Sequence, residues 1–286
     1  AELFAGDAEG VFYLRDFSDA KRIKQWAKNA ENVVIIGSGF IGLELASTFS
    51  QLDKKVSIIQ RSGKPLERIL GAQVSDYFMK MHQSHHVNFF LNEETEKIVK
   101  DERGQVASVL TKSGTSIEAD MVLIAVGVEP NISFEVDSLE TDRGIIVNEF
   151  GETSLANVYA GGDVVMWPYR NKLIHVEHWE TAWSQGISIA RNILNKRSNQ
   201  YSVVPYFWTD QYDETFEYLG NARAWDKMLT WGKMEEGKFA VAYVDENNYP
   251  LAILFANKFL KRKDVQEVLS KNQALDENSF DAVISS

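Results

Sequence analysis

From residue 33 the chain carries four successive apolar, β-branched residues, Val33, Val34, Ile35 and Ile36. A run without polar alternation predicts a strand buried on both faces, as in a parallel sheet. Ile41, Leu45, Ala46 and Phe49 then recur at helical spacing, and a second short strand is expected over 56–59. Upstream, the pattern predicts a strand over 11–14 and a helix capped by Ser18, with Ala20, Ile23, Trp26 and Ala27 facing a core. Downstream, Val74, Phe78 and Met81 mark a helix, followed by strands over 87–91, 95–100, 105–111 and 121–126. An extended crossing is expected over 143–147, and another strand within 153–163 that ends at Gly161 and Gly162. Past Val204, alternation predicts strands around 216–219, 228–231, 239–244 and 251–256, then a helix over 261–270, so that 204–286 reads as a small α+β domain.

Between the first buried strand and its helix lie Gly37, Ser38, Gly39, Phe40, Ile41 and Gly42. The three glycines have the G-x-G-x-x-G spacing: the first permits a tight turn, the second admits a pyrophosphate close to backbone, the third lets helix and strand pack. The helix that starts there points unpaired N–H groups and its positive dipole end at the phosphate. An acid that binds a ribose 2′-hydroxyl is expected at the end of the next strand, where this chain has Gln60 and Arg61, with Lys64 nearby. A glutamine suits NADH and the cations suit the 2′-phosphate of NADPH, so both coenzymes stay open. The apolar run 121–126 delivers Gly127 to the carboxyl end of a strand, the place where such sheets receive their ligand; it is a candidate contact for the nicotinamide half.

At 286 residues the chain has room for about two domains. A net charge of −11 argues against general binding to nucleic acid or anionic membranes. With no long apolar segment and no basic-then-apolar leader at Ala1, a cytoplasmic protein is expected. The chain has no cysteine, which excludes a redox-active C-x-x-C pair. Its histidines, His82, His85, His86, His175 and His178, show no metal-ligand spacing, and no metal is expected.

GSGFIGLELA, LIAVGVEPN, YAGGD, HVEHWETAWSQG and PYFWTDQYD follow one another in the order seen in bacterial ferredoxin and rubredoxin reductases, relatives of apoptosis-inducing factor. The chain resembles that family over essentially its whole length. The resemblance implies an α/β architecture: a Rossmann-type NAD(P)H domain inserted in an FAD domain, and a C-terminal α+β domain. On that basis 1–15 is the end of a first FAD-domain segment, 16–141 the NAD(P)H domain, 142–203 the second FAD segment and 204–286 the C-terminal domain. It implies FAD and NAD(P)H as cofactors, hydride passing between them, and a small iron–sulfur protein as electron acceptor. Asp163, after Gly162, matches the aspartate that hydrogen-bonds the ribityl chain of FAD. Glu177, His178 and Trp179 match the segment bordering the flavin ring, Trp208 a tryptophan near the isoalloxazine, and Glu44 a catalytic-site glutamate near the nicotinamide carboxamide. These reductases begin with another strand and glycine turn that hold the adenine and pyrophosphate of FAD, and this sequence carries only the last piece of that segment. The FAD domain is thus expected to be incomplete: the chain is a fragment of a longer product, a homodimer mate or partner chain completes it, or it works without flavin. The first is expected, with FAD bound weakly or not at all by this chain alone and NAD(P)H affinity retained. The alternative function is a redox switch like apoptosis-inducing factor, or an isolated NAD(P)H-binding module. Lys258, Lys261, Arg262 and Lys263 are the candidate docking patch for an acidic acceptor.

Overall fold

A computed structural model describes residues 8–132, 136 and 138–280. The chain divides into two units, Ala1–Gly127 with Thr209–Glu214, and Val128–Trp208 with Thr215–Ser286.

The first unit contains β1 (Val11–Phe12), α1 (Phe17–Trp26), β2 (Asn32–Ile36), α2 (Phe40–Ser50), β3 (Lys55–Gln60), α3 (Glu67–Ser84), β4 (Asn88–Leu91), β5 (Thr95–Lys100), β6 (Val106–Thr111), β7 (Ser116–Glu118) and β8 (Met121–Ile124). Parallel pairing sets the order β1-β8-β2-β3-β4, and β5-β6-β7 form a separate antiparallel sheet. Strand β2 lies at the centre of the first sheet, which is why Val33 to Ile36 are all buried. Asp120 ties the start of β2 down: its Oδ2 accepts from the backbone N–H of Glu31 and Asn32 and from Asn32 Nδ2, at 2.8 to 3.1 Å.

Two local expectations are corrected here. Helix α1 is capped by Asp16, not Ser18: Asp16 accepts from the Asp19 amide at 2.9 Å while the Asp19 carboxylate accepts from the Asp16 amide. That reciprocal box satisfies two orphan donors, which Ser18, already inside the first turn, does not. Strand β8 stops at Ile124 rather than 126, because Val126 is exposed and Gly127, at φ +114°, leaves the extended region.

The second unit contains β9 (Ile145–Ile146), β10 (Val165–Tyr169), β11 (Lys172–His175) and α4 (Trp179–Asn195). The strand expected within 153–163 is absent: apart from one bridge between Glu152 and Tyr159, the backbone closes on itself, Thr153 N–H to Val158 O at 3.0 Å and Val158 N–H to Leu155 O at 3.2 Å. Donors spent locally leave no edge for a neighbour. Next come β12 (Tyr206–Gln211), β13 (Glu214–Gly220), β14 (Lys227–Lys233), β15 (Lys238–Val244), β16 (Pro250–Ala256) and α5 (Arg262–Lys271), with strand order β12-β13-β16-β15-β14. Val265 and Leu269 of α5 join Trp231, Ala242, Ile253, Phe255 and Phe280 in one buried core. The end of the β12–β13 hairpin, Thr209–Glu214, groups with the first unit.

Candidate functional site

The glycine turn after β2 separates what this chain needs for itself from what it leaves open. Gly37 has φ +104°, and a β-carbon there runs into the Ala125 carbonyl; at Gly42 it runs into the Gly37 carbonyl. Both glycines are demanded by packing. Gly39 is different: φ −75° and ψ −176° suit any residue, and a β-carbon would meet nothing within 4 Å. Among the described residues no side chain caps α2, and the buried Ser38 hydroxyl has no hydrogen-bond partner. A bare backbone, an uncapped helix start and an unspent hydroxyl fit a pyrophosphate. Phe40 is half-buried and Ile41 exposed on the first turn, and Gly127 is exposed beyond β8.

At the end of β3, both ends of the Gln60 amide are engaged: Oε1 accepts from Ser38 N–H at 3.2 Å, and Nε2 donates to Ser62 O at 2.8 Å. Gln60 thereby braces the turn. Lys64 is ion-paired with Asp76 at 2.5 Å, whereas Arg61 is exposed and has no ion pair among the described residues.

Glu44 lies on α2, half-buried, and its Oε1 accepts from the Thr209 hydroxyl at 2.6 Å. Burial pushes its carboxyl above the usual range; the Thr209 bond opposes that rise, and the charge of Asp210 adds to it. Behind Thr209 lie Gln211 and His82, also buried, joined through Gln211 Nε2 to Thr209 Oγ1 at 3.0 Å and His82 Nε2 to Gln211 Oε1 at 2.8 Å. Burial holds the His82 imidazole down at about 4, against the upward pull of its Gln211 bond. Sequence reasoning did not find Thr209, Gln211 or His82. The helical spacing Val74, Phe78, His82 on the buried side of α3 was the available signal for the last.

The other candidate residues fall in the second unit. Gly162 has φ +84° and donates its N–H to Gln185 Oε1 at 2.7 Å, with half-buried Asp163 next in the chain. Glu177 receives His175 Nε2 at 3.0 Å. His178 is the N-cap residue of α4; its ring stacks on Phe207 at 4.5 Å, and burial lowers its pKa to about 4. Trp179 is 69% exposed, parallel to Trp183 at 6.1 Å and edge-on to Trp208 at 6.3 Å. Trp208, 43% exposed, stacks on Tyr206 at 5.9 Å. The structure thus brings Trp179 and Trp208 together as an open aromatic surface, the kind of face that a flat conjugated ring covers. From the expected docking patch it removes Arg262, which pairs with Glu180 and lies over Tyr206 at 3.5 Å; Lys258, Lys261 and Lys263 are exposed.

A central parallel sheet with an uncapped glycine turn at the end of β2 defines a dinucleotide-binding architecture. Residues 3–186 match the model for the pyridine nucleotide-disulphide oxidoreductases, and residues 206–282 match the reductase C-terminal family. The chain belongs to the pyridine nucleotide-disulphide oxidoreductase family, in its ferredoxin reductase and apoptosis-inducing-factor-like branch. It is 30% identical over 275 residues to human apoptosis-inducing factor 3, covering 94% of this chain and 45% of that protein. It is 31% identical over 242 residues to a ferredoxin–NAD(P)+ reductase of a Sphingomonas species, covering 83% of this chain and 58% of that one. The fold superposes on a chain of a covalent putidaredoxin reductase–putidaredoxin complex with a TM-score of 0.90 at 24% identity, over 98% of this chain and 70% of that chain. The chain spans about half the length of the curated relatives it matches. Ferredoxin reductases of this family use FAD and NAD(P)H. Among the described residues no helix is long and apolar enough to cross a membrane.

Proposed function

We propose that this protein is an NAD(P)H-dependent flavoprotein reductase that passes hydride from NAD(P)H to FAD and electrons onward to a ferredoxin- or rubredoxin-like acceptor. The observation that carries this reading is the Gly39 cradle, where backbone geometry and packing demand no glycine and the free space faces an uncapped helix start. The coenzyme pyrophosphate is held by the Gly37 to Gly42 turn, including Ser38, Phe40 and Ile41. Gln60 fixes that turn, and Arg61 provides the charge for a 2′-phosphate. Gly127 borders the nicotinamide end, and Glu44 accepts a hydrogen bond from its carboxamide. On the flavin side, Gly162 and Asp163 hold the ribityl chain, while Glu177, His178, Trp179 and Trp208 border the ring. FAD supplies the hydride-to-electron chemistry, and the chain contributes binding, orientation and electrostatics.

Anaerobic stopped-flow mixing of the FAD-supplemented protein with NADPH or NADH, followed by steady-state turnover with a ferredoxin, tests the proposal. Bleaching of oxidised flavin together with acceptor turnover is the expected result; with flavin first shown to be bound by its shifted absorption spectrum, no bleaching with either coenzyme overturns it. Bleaching without turnover favours a redox-switch role, which the similarity to apoptosis-inducing factor 3 supports.

A further inference from the structure

The polar chain behind Glu44 has a single direction. A carboxylate only accepts, so Thr209 donates its one proton to Glu44. Thr209 Oγ1 can then only accept from Gln211, which places the amide nitrogen of Gln211 toward Thr209 and its oxygen toward His82. The opposite amide orientation would ask one hydroxyl proton to serve two acceptors. Because the Gln211 oxygen accepts, His82 carries its proton on Nε2; the ring is neutral, so Nδ1 accepts from the Tyr212 hydroxyl at 2.9 Å. Four bonds therefore run head to tail, Tyr212 to His82 to Gln211 to Thr209 to Glu44, through side chains 0 to 1% exposed at the three inner links. Aligned bonds polarise one another in a low-dielectric interior.

The same loop is keyed to α2 a second time. The Tyr212 N–H donates to Ser47 Oγ at 2.7 Å, one turn past Glu44 on the same helix, and the Tyr212 ring stacks on His85 at 3.6 Å. Burying three polar side chains is costly when apolar residues would fill the space, so the bonds that join them in one line ending on a single carboxylate point to the carboxylate as their purpose.

We propose that Thr209, Gln211 and His82 are positioning residues that fix the Glu44 carboxylate in one orientation for the carboxamide of the nicotinamide coenzyme. Thr209 takes Oε1, which leaves Oε2 to accept from the coenzyme amide. An amide at Gln211 does not pass protons along, so the chain orients Glu44 and is not a proton relay. This inference rests on the reading of Glu44 as a coenzyme contact.

The test is NADPH and NADH binding by calorimetry to the native protein and to the variants Thr209→Val, Thr209→Ser and Glu44→Gln, with 15N spectra of the histidine side chains recorded alongside. Thr209→Val is expected to weaken binding about 3- to 10-fold, the size of one lost hydrogen bond. Thr209→Ser, which keeps the donor, is expected to restore affinity to within about twofold of native, on the same scale. Coenzyme addition is expected to shift the His82 Nε2 resonance in the native protein and in Thr209→Ser, and to leave it unmoved in Thr209→Val. Native affinity in Thr209→Val with weakened binding in Glu44→Gln overturns the positioning role and leaves Glu44 as a coenzyme contact. Native affinity in Glu44→Gln overturns that contact and the proposal with it. A His82 resonance that does not move in the native protein at saturating NADPH also overturns the positioning role, and that measurement needs no variant.

Discussion

Gly39 and Gly42 sit three residues apart in the same turn, yet their substitution to alanine is expected to fail for different reasons. At Gly42 the new methyl meets the Gly37 carbonyl, backbone that does not step aside, and overpacking of that kind costs about 1 to 3 kcal/mol of stability. At Gly39 the methyl enters open space, so denaturant unfolding is expected to move by less than about 1 kcal/mol, the cost of a poorer helix N-cap. Coenzyme titration is expected to show Gly39→Ala losing affinity despite its retained stability; unchanged affinity would mean the space serves no phosphate. At the end of β3, Gln60→Glu with Arg61→Ala is expected to shift preference from NADPH toward NADH by about 1 to 3 kcal/mol, the scale of charged hydrogen bonds. A constant ratio of the two affinities in this double variant would show that Arg61 does not read the 2′-phosphate.

The interlock of α3 with the β12–β13 turn gives a pH signature at the level of elements. His82 is held near 4 in the fold, against an ordinary value of 6.5, so the unfolded chain binds the extra proton first. Stability from this site is therefore complete above pH 6.5 and is lost as pH falls toward 4, by at most about 3 kcal/mol. His178 shifts in the same direction, so the informative quantity is the difference between native protein and His82→Gln in urea unfolding from pH 7 to 4: the variant's slope is expected to be shallower. Elements of this unit were legible in the sequence because central parallel strands such as β2 are continuous apolar runs and the glycine turn has fixed spacing. Helix α4 was not, since it is amphipathic the wrong way round. Its buried face carries Thr181, Gln185, Ser188 and Asn192, while Trp179, Trp183, Ile193 and Leu194 are exposed. Those inward polar groups serve the surrounding backbone, Gln185 receiving the Gly162 N–H and Asn192 donating to Phe150 O and Asn199 O. The β10–β11 hairpin was hidden for a different reason: Arg170 and Asn171 turn it at φ +48° and +60° without the glycine that marks such turns. At the candidate site, the glycines were visible as spacing, whereas the Glu44–Thr209 bond joins residues 165 apart that no periodicity connects.

On the scale of the whole molecule, the proposed reaction requires that an acidic electron acceptor, if it is the partner, approach a chain of net charge −11, so its docking would depend on local positive charge. With Arg262 committed to Glu180, that charge reduces on the start of α5 to Lys261 and Lys263, with Lys258 nearby in the chain. Lys261→Glu with Lys263→Glu is expected to slow acceptor association and flatten the dependence of ferredoxin turnover on ionic strength, with hydride transfer from NAD(P)H unaffected. An unchanged salt slope would place docking elsewhere. The assignment of Thr209–Glu214 to the first unit also bears on how such a protein can be inherited or divided. No single break in the gene returns both units whole: ending the product at Gly127 strips the His82 ring of its hydrogen bonds to Gln211 and Tyr212 and Glu44 of its hydroxyl donor. Recombination between relatives that exchanges a stretch holding only one of these segments therefore pairs a native α2 and α3 with a foreign hexapeptide, and Glu44, Ser47 and His82 are expected to change in step with residues encoded more than a hundred codons away.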